Sequence, residues 1–226
     1  MSSFARVKIC GITSVADAMA VAQTGADAIG LNFYEQSPRY ISISTAQEIV
    51  RAVGPFVSVV GLFVNASQER VSEVAASVDL NMLQFHGDET EAYCSQFNLP
   101  YIKALRVRSG DPNASLSEVR AGVKTIVLSY QSASGVLLDA YSESAYGGTG
   151  EQFNWQAVPE LHSGRCENIP LILAGGLTAG NVGEAIQGVE PYAVDVSSGI
   201  EISPGIKDLD KVREFVINSH GWCVDH

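Results

Sequence analysis

Several features are scarce in this 226-residue chain, and each scarcity removes a class of reading. There are four cysteines, Cys10, Cys94, Cys166 and Cys223, and no C-x-x-C pair among them. A structural zinc site or a disulfide framework needs closer or more numerous thiols, so no metal is expected and the thiols are read as reduced. Basic residues are also few, 14 Lys and Arg against 25 Asp and Glu, for a formal net charge of -11. Nucleic acid is therefore not an expected partner, because gripping a phosphate backbone takes clustered cations. No apolar run approaches the roughly 18 residues of a membrane span, and the opening segment lacks a basic head followed by an apolar stretch. The expectation is a soluble, cytoplasmic protein with no membrane partner.

What is present is ample apolar content, 46% of residues, enough for one sizeable core. Residues 1–226 are read as one domain. Short β-branched runs alternate along it with longer segments of helical spacing, the pattern of repeated βα units around a parallel sheet, which sets the class as α/β. The predicted strands are Val7–Cys10, Ala28–Phe33, Val57–Val64, Met82–Phe85, Tyr101–Leu105, Gly135–Asp139, Leu171–Ala174 and Ala193–Val196. Between them, apolar residues near i, i+3, i+4 spacing predict helices over Val15–Gln23, Thr45–Val53, Gln68–Ser77, Glu89–Gln96, Trp155–Leu161, Ala179–Gln187 and Asp208–Asn218. Ser14, Ser44, Ser67 and Asp88 stand where a side-chain oxygen would cap the following helix. Val123–Tyr130 has a β-like composition but is assigned to the end of a helix starting near Ser115, since a ninth strand would displace Gly135–Asp139 from sixth place. Eight βα units suit a (βα)8 barrel; the pattern alone also allows an open doubly wound sheet, and glycine placement favours the barrel.

In a barrel the chemistry gathers at the C-terminal ends of the strands. Those positions hold Cys10-Gly11, Arg39 in the second loop, Asn65, His86-Gly87-Asp88, Asp139, Gly175-Gly176 and Ser197-Ser198-Gly199. Glycine-rich turns after the seventh and eighth strands, with Gly175, Gly176, Ser198 and Gly199, are where barrels bind phosphate through backbone amides. Taken singly, each glycine pair is equally a tight turn. Gly147-Gly148-Thr149-Gly150 is a third loop that would close over the same group, with Gly148 and Gly150 as candidate contacts, or act as a lid. An anion site built of amides answers the acidity of the chain, which otherwise repels an anionic ligand.

Cys10 and Asp139 make an acid–base pair suited to moving protons within one substrate. The blander reading of Cys10 is a small buried hydrophobe, and of Asp139 a cap or structural ion pair. Asp139 follows the apolar run Val136-Leu137-Leu138, so it needs a polar partner or cavity. His86 is read as a supporting residue in the mouth wall rather than a catalyst. His162, His220 and His226 have no acid or thiol at metal-ligand spacing. Arg39, behind Pro38, presents a guanidinium suited to a carboxylate in a bidentate pair, or else is a solvated loop residue.

These runs resemble the phosphoribosylanthranilate isomerase family of tryptophan biosynthesis. The resemblance rests on Lys8-Ile9-Cys10-Gly11-Ile12-Thr13, Ser37-Pro38-Arg39-Tyr40-Ile41-Ser42, Leu83-Gln84-Phe85-His86-Gly87-Asp88-Glu89, Leu137-Leu138-Asp139, the Gly147–Gly150 loop, Ala174-Gly175-Gly176-Leu177 and Asp195-Val196-Ser197-Ser198-Gly199-Ile200-Glu201. It implies a single-domain TIM barrel that rearranges N-(5-phosphoribosyl)anthranilate into 1-(2-carboxyphenylamino)-1-deoxyribulose 5-phosphate without a cofactor, as a monomer or homodimer. It further implies Cys10 as general base, Asp139 as general acid and Arg39 on the anthranilate carboxylate. That mechanism asks Asp139 to carry a proton and Cys10 to ionise. Phe85 and Ile202 depart from the family's usual residues, and residues 220–226 match no motif and are a candidate disordered tail.

Three other readings compete. The related histidine-pathway isomerase generally has an aspartate where Cys10 stands. The synthase that follows in the tryptophan pathway needs lysine and glutamate catalysts, and Lys8 and Lys103 lie within predicted strands with no glutamate partner evident. A phosphosugar-binding module without catalysis would not need both Cys10 and Asp139.

Overall fold

The β-branched runs form the strands expected of them in the computed structural model, which describes residues 5–107, 115–140, 155, 158–160 and 164–221. The strands are β1 (Arg6–Cys10), β2 (Ala28–Asn32), β3 (Ser58–Phe63), β4 (Met82–Phe85), β5 (Tyr101–Val107), β6 (Gly135–Ala140), β7 (Arg165–Cys166), β8 (Ile169–Leu173) and β9 (Ala193–Val196). All but β7 pair in parallel in the order β6-β5-β4-β3-β2-β1-β9-β8. A pairing of β6 with β8, Val136 opposite Leu171 and Leu138 opposite Leu173, closes the row into an eight-stranded barrel. The open-sheet alternative is thereby excluded. β7 is a short antiparallel arm on β8.

Two apolar layers follow from the alternation of side chains along a strand. Val7, Ile9, Leu83, Phe85, Val136, Leu138, Leu171, Leu173, Val194 and Val196 face outward into the main core beneath the helices. Ile102, Ala104, Leu137, Ile172 and Ala193 face inward and form a separate cluster inside the ring. The helices are α1 (Val15–Ala22), α2 (Ile43–Val53), α3 (Gln68–Ser77), α4 (Glu91–Cys94), α5 (Leu116–Leu128), α6 (Val182–Val189) and α7 (Leu209–Ser219). The helical reading of the fifth connection holds: Ser115 opens α5 with a reciprocal capping box to Glu118. α7 returns the chain to its start, where the Ala5 amide donates to the Ser219 carbonyl, and His220 closes this helix. Of the predicted helix Trp155–Leu161, residues 156, 157 and 161 lie outside the described residues, Trp155 is in a 3-10 turn and 158–160 are not helical; residues 222–226 lie wholly outside the described residues.

Two predicted caps are corrected. α2 starts earlier than expected and is capped by Ser42, whose hydroxyl accepts from the Thr45 amide at 3.1 Å, while the Ser44 hydroxyl meets that of Ser42 rather than a first-turn amide among the described residues. α4 is capped by Thr90 rather than Asp88, because Glu89 is drawn inward to the buried Lys103 and the helix cannot begin until the chain has turned back out. Ser14 and Ser67 cap as predicted.

The reassignment makes a stability test. Ser42→Ala is expected to lower unfolding free energy by about 1 kcal/mol and Ser44→Ala by only a few tenths, read from urea denaturation midpoints; equal losses would restore Ser44 as the cap.

Candidate active site

Residues two apart on a strand face the same side, so closure stacks the inward positions in layers. Lys8 lies below Cys10 on β1, Gln84 below His86 at the end of β4, Leu137 below Asp139 on β6, and Ala193 below Asp195 on β9. Cys10, His86, Asp139 and Asp195 are all buried at the C-terminal mouth. The thiol and the carboxylate proposed from the sequence thus reach one face from strands far apart in the chain.

Asp139 is held from the side by His86, whose Nε2 is 3.2 Å from Oδ2. Gln84 Nε2 stands 3.1 Å from His86 Nδ1. Gln84 and Asp139 thus hold the two nitrogens of the ring, one from below and one at the mouth. The His86 ring thus braces the Asp139 carboxyl.

Cys10 packs beside Leu62, Val64 and Tyr34. Burial pushes its thiol above the ordinary value of 9.0, against the opposing pull of Lys8 and Lys207. The sequence-based expectation of a readily ionised cysteine thus meets a desolvated one. Lys8 Nζ pairs with Asp195 Oδ1 at 2.7 Å. Burial draws Lys8 down, but Asp195 together with Cys10 more than offsets it, and Lys8 is held as an ammonium above 10.5.

Arg39 is buried rather than solvated. The Ser37 hydroxyl accepts from both the Arg39 amide and the Asn32 side chain, which shapes the loop after β2. Its bidentate partner is Glu201, with Nε to Oε1 at 2.9 Å and Nη2 to Oε2 at 2.7 Å. Glu201 begins β10 (Glu201–Ser203), which pairs with β11 (Ile206–Lys207) in a hairpin, and Lys207 Nζ reaches Glu201 at 2.8 Å and the Cys10 carbonyl at 2.6 Å. This hairpin ties the loops after β1, β2 and β9 together. Sequence reading quoted Glu201 within a motif but assigned it no role.

Lys103 requires another correction: it does have a glutamate partner, Glu89, at 3.0 Å. It nonetheless faces outward, since its neighbours Ile102 and Ala104 are the inward residues, and it bonds the Phe85 and Gly87 carbonyls beneath the fourth loop. It braces the loop that carries His86 and does not enter the mouth.

The glycine loops meet. Gly175 and Gly176 have φ of 81° and 69°, in the left-handed region that favours glycine. Asn181 holds this loop through the Thr178 amide and the Gly176 carbonyl instead of capping α6. Ser198, Gly199 and Ile200 form a single 3-10 turn, and Gly199 presses so closely on the Leu177 carbonyl that a Cβ would overlap it. The buried hydroxyl of Ser197 has no hydrogen-bond partner among the described residues. Gly148 and Gly150 of the third loop lie outside the described residues, as do His162, His226 and Cys223. Among the described residues no group of three or more His, Cys, Asp or Glu is arranged to hold a metal ion, and no helix is long and apolar enough to cross a membrane.

The sequence model of the N-(5'phosphoribosyl)anthranilate (PRA) isomerase family matches residues 7–218. The N-(5'-phosphoribosyl)anthranilate isomerase of Pseudomonas fluorescens (strain Pf0-1) is 52% identical over 214 residues, covering 95% of this chain and 98% of its own. The enzyme of the same name from Pseudomonas aeruginosa (strain LESB58) is 53% identical over 211 residues, 93% of both chains. Among solved structures, phosphoribosyl anthranilate isomerase from Thermotoga maritima superposes with a TM-score of 0.77 at 36% identity, covering 96% of this chain and all (100%) of that one. A phosphoribosyl anthranilate isomerase in complex with reduced 1-(o-carboxyphenylamino)-1-deoxyribulose 5-phosphate superposes with a TM-score of 0.74 at 35% identity, with coverage of 96% and 100%.

The Glu201 cluster predicts an acid limb of stability. Burial alone would raise this carboxyl, but hydrogen bonds and charge from Arg39 and Lys207 outweigh it and hold it below its ordinary 4.5. Its stabilisation is therefore fully present above 4.5 and is lost as pH falls through the lower folded value. Glu201→Gln is expected to cost roughly 3–5 kcal/mol at neutral pH, by leaving buried cations unpaired, and to lose further stability less steeply on acidification. Urea denaturation across acidic pH checks this; an acid limb as steep as that of the wild type would count against the assignment.

Proposed function

The chain belongs to the N-(5'-phosphoribosyl)anthranilate isomerase family, and from that premise we propose how its mouth carries out the rearrangement of N-(5-phosphoribosyl)anthranilate to 1-(2-carboxyphenylamino)-1-deoxyribulose 5-phosphate in tryptophan biosynthesis. Asp139, as general acid, gives a proton to the ribose ring oxygen. The ring opens and the anthranilate nitrogen carries an iminium. Cys10, as thiolate, removes the proton from the adjacent carbon, and the resulting enolamine tautomerises to the amino ketose. Every step moves a proton or an electron pair within one substrate, so an acid and a base suffice and no cofactor or metal is called for.

The observation that carries this reading is the convergence of a buried thiol and a histidine-braced carboxyl on the one mouth that also holds the paired glycine loops. His86 donates to the carboxylate that forms when Asp139 gives up its proton, which stabilises the product of the acid step. The iminium is a cation beside Cys10 and favours the thiolate when the base is needed. Arg39 is assigned the substrate carboxylate: Glu201 occupies its Nε and Nη2 edge, and the Nη1 and Nη2 edge remains for a second bidentate contact. The amides of Gly175, Gly176, Ser198 and Gly199 are assigned the phosphate, with Gly148 and Gly150 as a third contact. The enzyme is read as cytoplasmic, in one domain, acting as a monomer or homodimer.

Loss of anthranilate-type fluorescence from substrate made in situ measures the reaction. Asp139→Asn and Cys10→Ser are each expected to lower kcat by roughly a hundred- to ten-thousand-fold while substrate binding persists. A folded wild-type chain that binds product without turnover would replace the isomerase reading with that of a phosphosugar-binding module. Gly199→Ala, which forces the Leu177 carbonyl away, is expected to raise KM about tenfold or more and change kcat less; an unaltered KM would remove Gly199 from the phosphate site.

A further inference from the structure

We propose that Lys8, clamped by Asp195, is the positioning residue that makes Cys10 available as a base, its ammonium standing beneath the sulfur and stabilising the thiolate. The proposal rests on the reading of Cys10 as the general base. It starts from the strand period. Lys8 and Cys10 share the inward face of β1, one layer apart, and both are buried.

The neighbouring strand makes room for them to meet. Gly30 on β2 pairs with Cys10, and a Cβ at this glycine would stand 2.7 Å from the Cys10 sulfur and 3.1 Å from Lys8 Nζ. Thiol and ammonium thus occupy the space that a side chain at position 30 would fill, which brings the charge of Lys8 close enough to favour the Cys10 thiolate. In such a desolvated site one adjacent charge acts strongly on a neighbour's ionisation.

The other groups facing the sulfur do not replace it. Lys207, from the β10–β11 hairpin, also favours the thiolate, but its three protons are spent on Glu201 and on the Cys10 and Ser197 carbonyls. Arg39, from the loop after β2, is forked onto Glu201. Asp195, from β9, opposes the thiolate, and beyond it lie Asp139 of β6 and His86 of the β4 loop. Its contribution is indirect: the 2.7 Å pair fixes the ammonium and keeps Lys8 protonated where burial would otherwise neutralise it.

Ultraviolet thiolate absorbance against pH tests the proposal, each chain read as the difference from its own Cys10→Ser counterpart so that tyrosines and the other cysteines cancel. Lys8→Met is expected to move the Cys10 midpoint up by about one pH unit or more, which is at least tenfold less thiolate at a given pH. Lys8→Arg, which keeps the charge, is expected to stay nearer the wild type. Should Lys8→Met fail to fold around the orphaned Asp195, Lys8→Met with Asp195→Asn removes both charges and is expected to shift the midpoint in the same direction by less. An unchanged midpoint in the folded charge-free chain overturns the proposal. Failure of the base reading shows separately, as full turnover by Cys10→Ser with the titration shift intact.

Discussion

Pairing of β6 with β8 is the contact on which the rest of the molecule depends. Without it the eight parallel strands would be an open sheet, and Asp139 on β6 would lie at one edge, several strands away from Cys10 on β1. With it the row becomes a ring, and the two-residue alternation of side chains gives every strand an inward column. Those columns carry Lys8 and Cys10, Gln84 and His86, Leu137 and Asp139, Ala193 and Asp195. The outward columns are almost wholly aliphatic or aromatic because helices cover them. Lys103 is the instructive exception, a charge on an outward column that survives burial by meeting Glu89 and two carbonyls.

Charge in the mouth obeys the same accounting. A chain with a formal net charge of -11 whose proposed substrate is a phosphosugar needs positive charge placed locally. Three buried cations, Lys8, Arg39 and Lys207, stand at the mouth, each beside a carboxylate. The pairing makes their burial tolerable, since an isolated ion in that environment would be neutralised or expelled. Glu201 serves two of them and links the loop of Arg39 to the hairpin of Lys207. In the proposed phosphate site, backbone amides of the glycine loops supply positive potential with no net charge, a local solution open to an acidic protein.

Asp139 and Cys10, proposed as the acid and the base, face different environments at one mouth of the barrel. Asp139 is braced by an imidazole that Gln84 holds from one layer down. Cys10 lies in a more apolar pocket, where burial favours the thiol and Lys8 opposes it. A fold that moves protons between an acid and a base needs such unlike surroundings, because equal surroundings would give two groups of the same type competing for the same task.

How much of this was legible beforehand follows from the range of the forces involved. Strand runs and helix periods are local, so eight strands, most helices and the positions of Cys10, His86, Asp139 and the glycine loops at strand ends were readable in the sequence, as was the family pattern. Caps were readable only where no distant partner competed: Ser14 and Ser67 held, whereas Asp88 gave way to Thr90 because Glu89 answers to Lys103 in the next strand. The ion pairs of the mouth were not readable at all. Lys8 finds Asp195 across 187 residues of chain and Arg39 finds Glu201 across 162, and nothing in local spacing marks either pair. The sequence by itself determined which residues stand at the ends of strands. Ring closure and strand register, which are tertiary, decided which of those ends meet and therefore which charge each buried group feels.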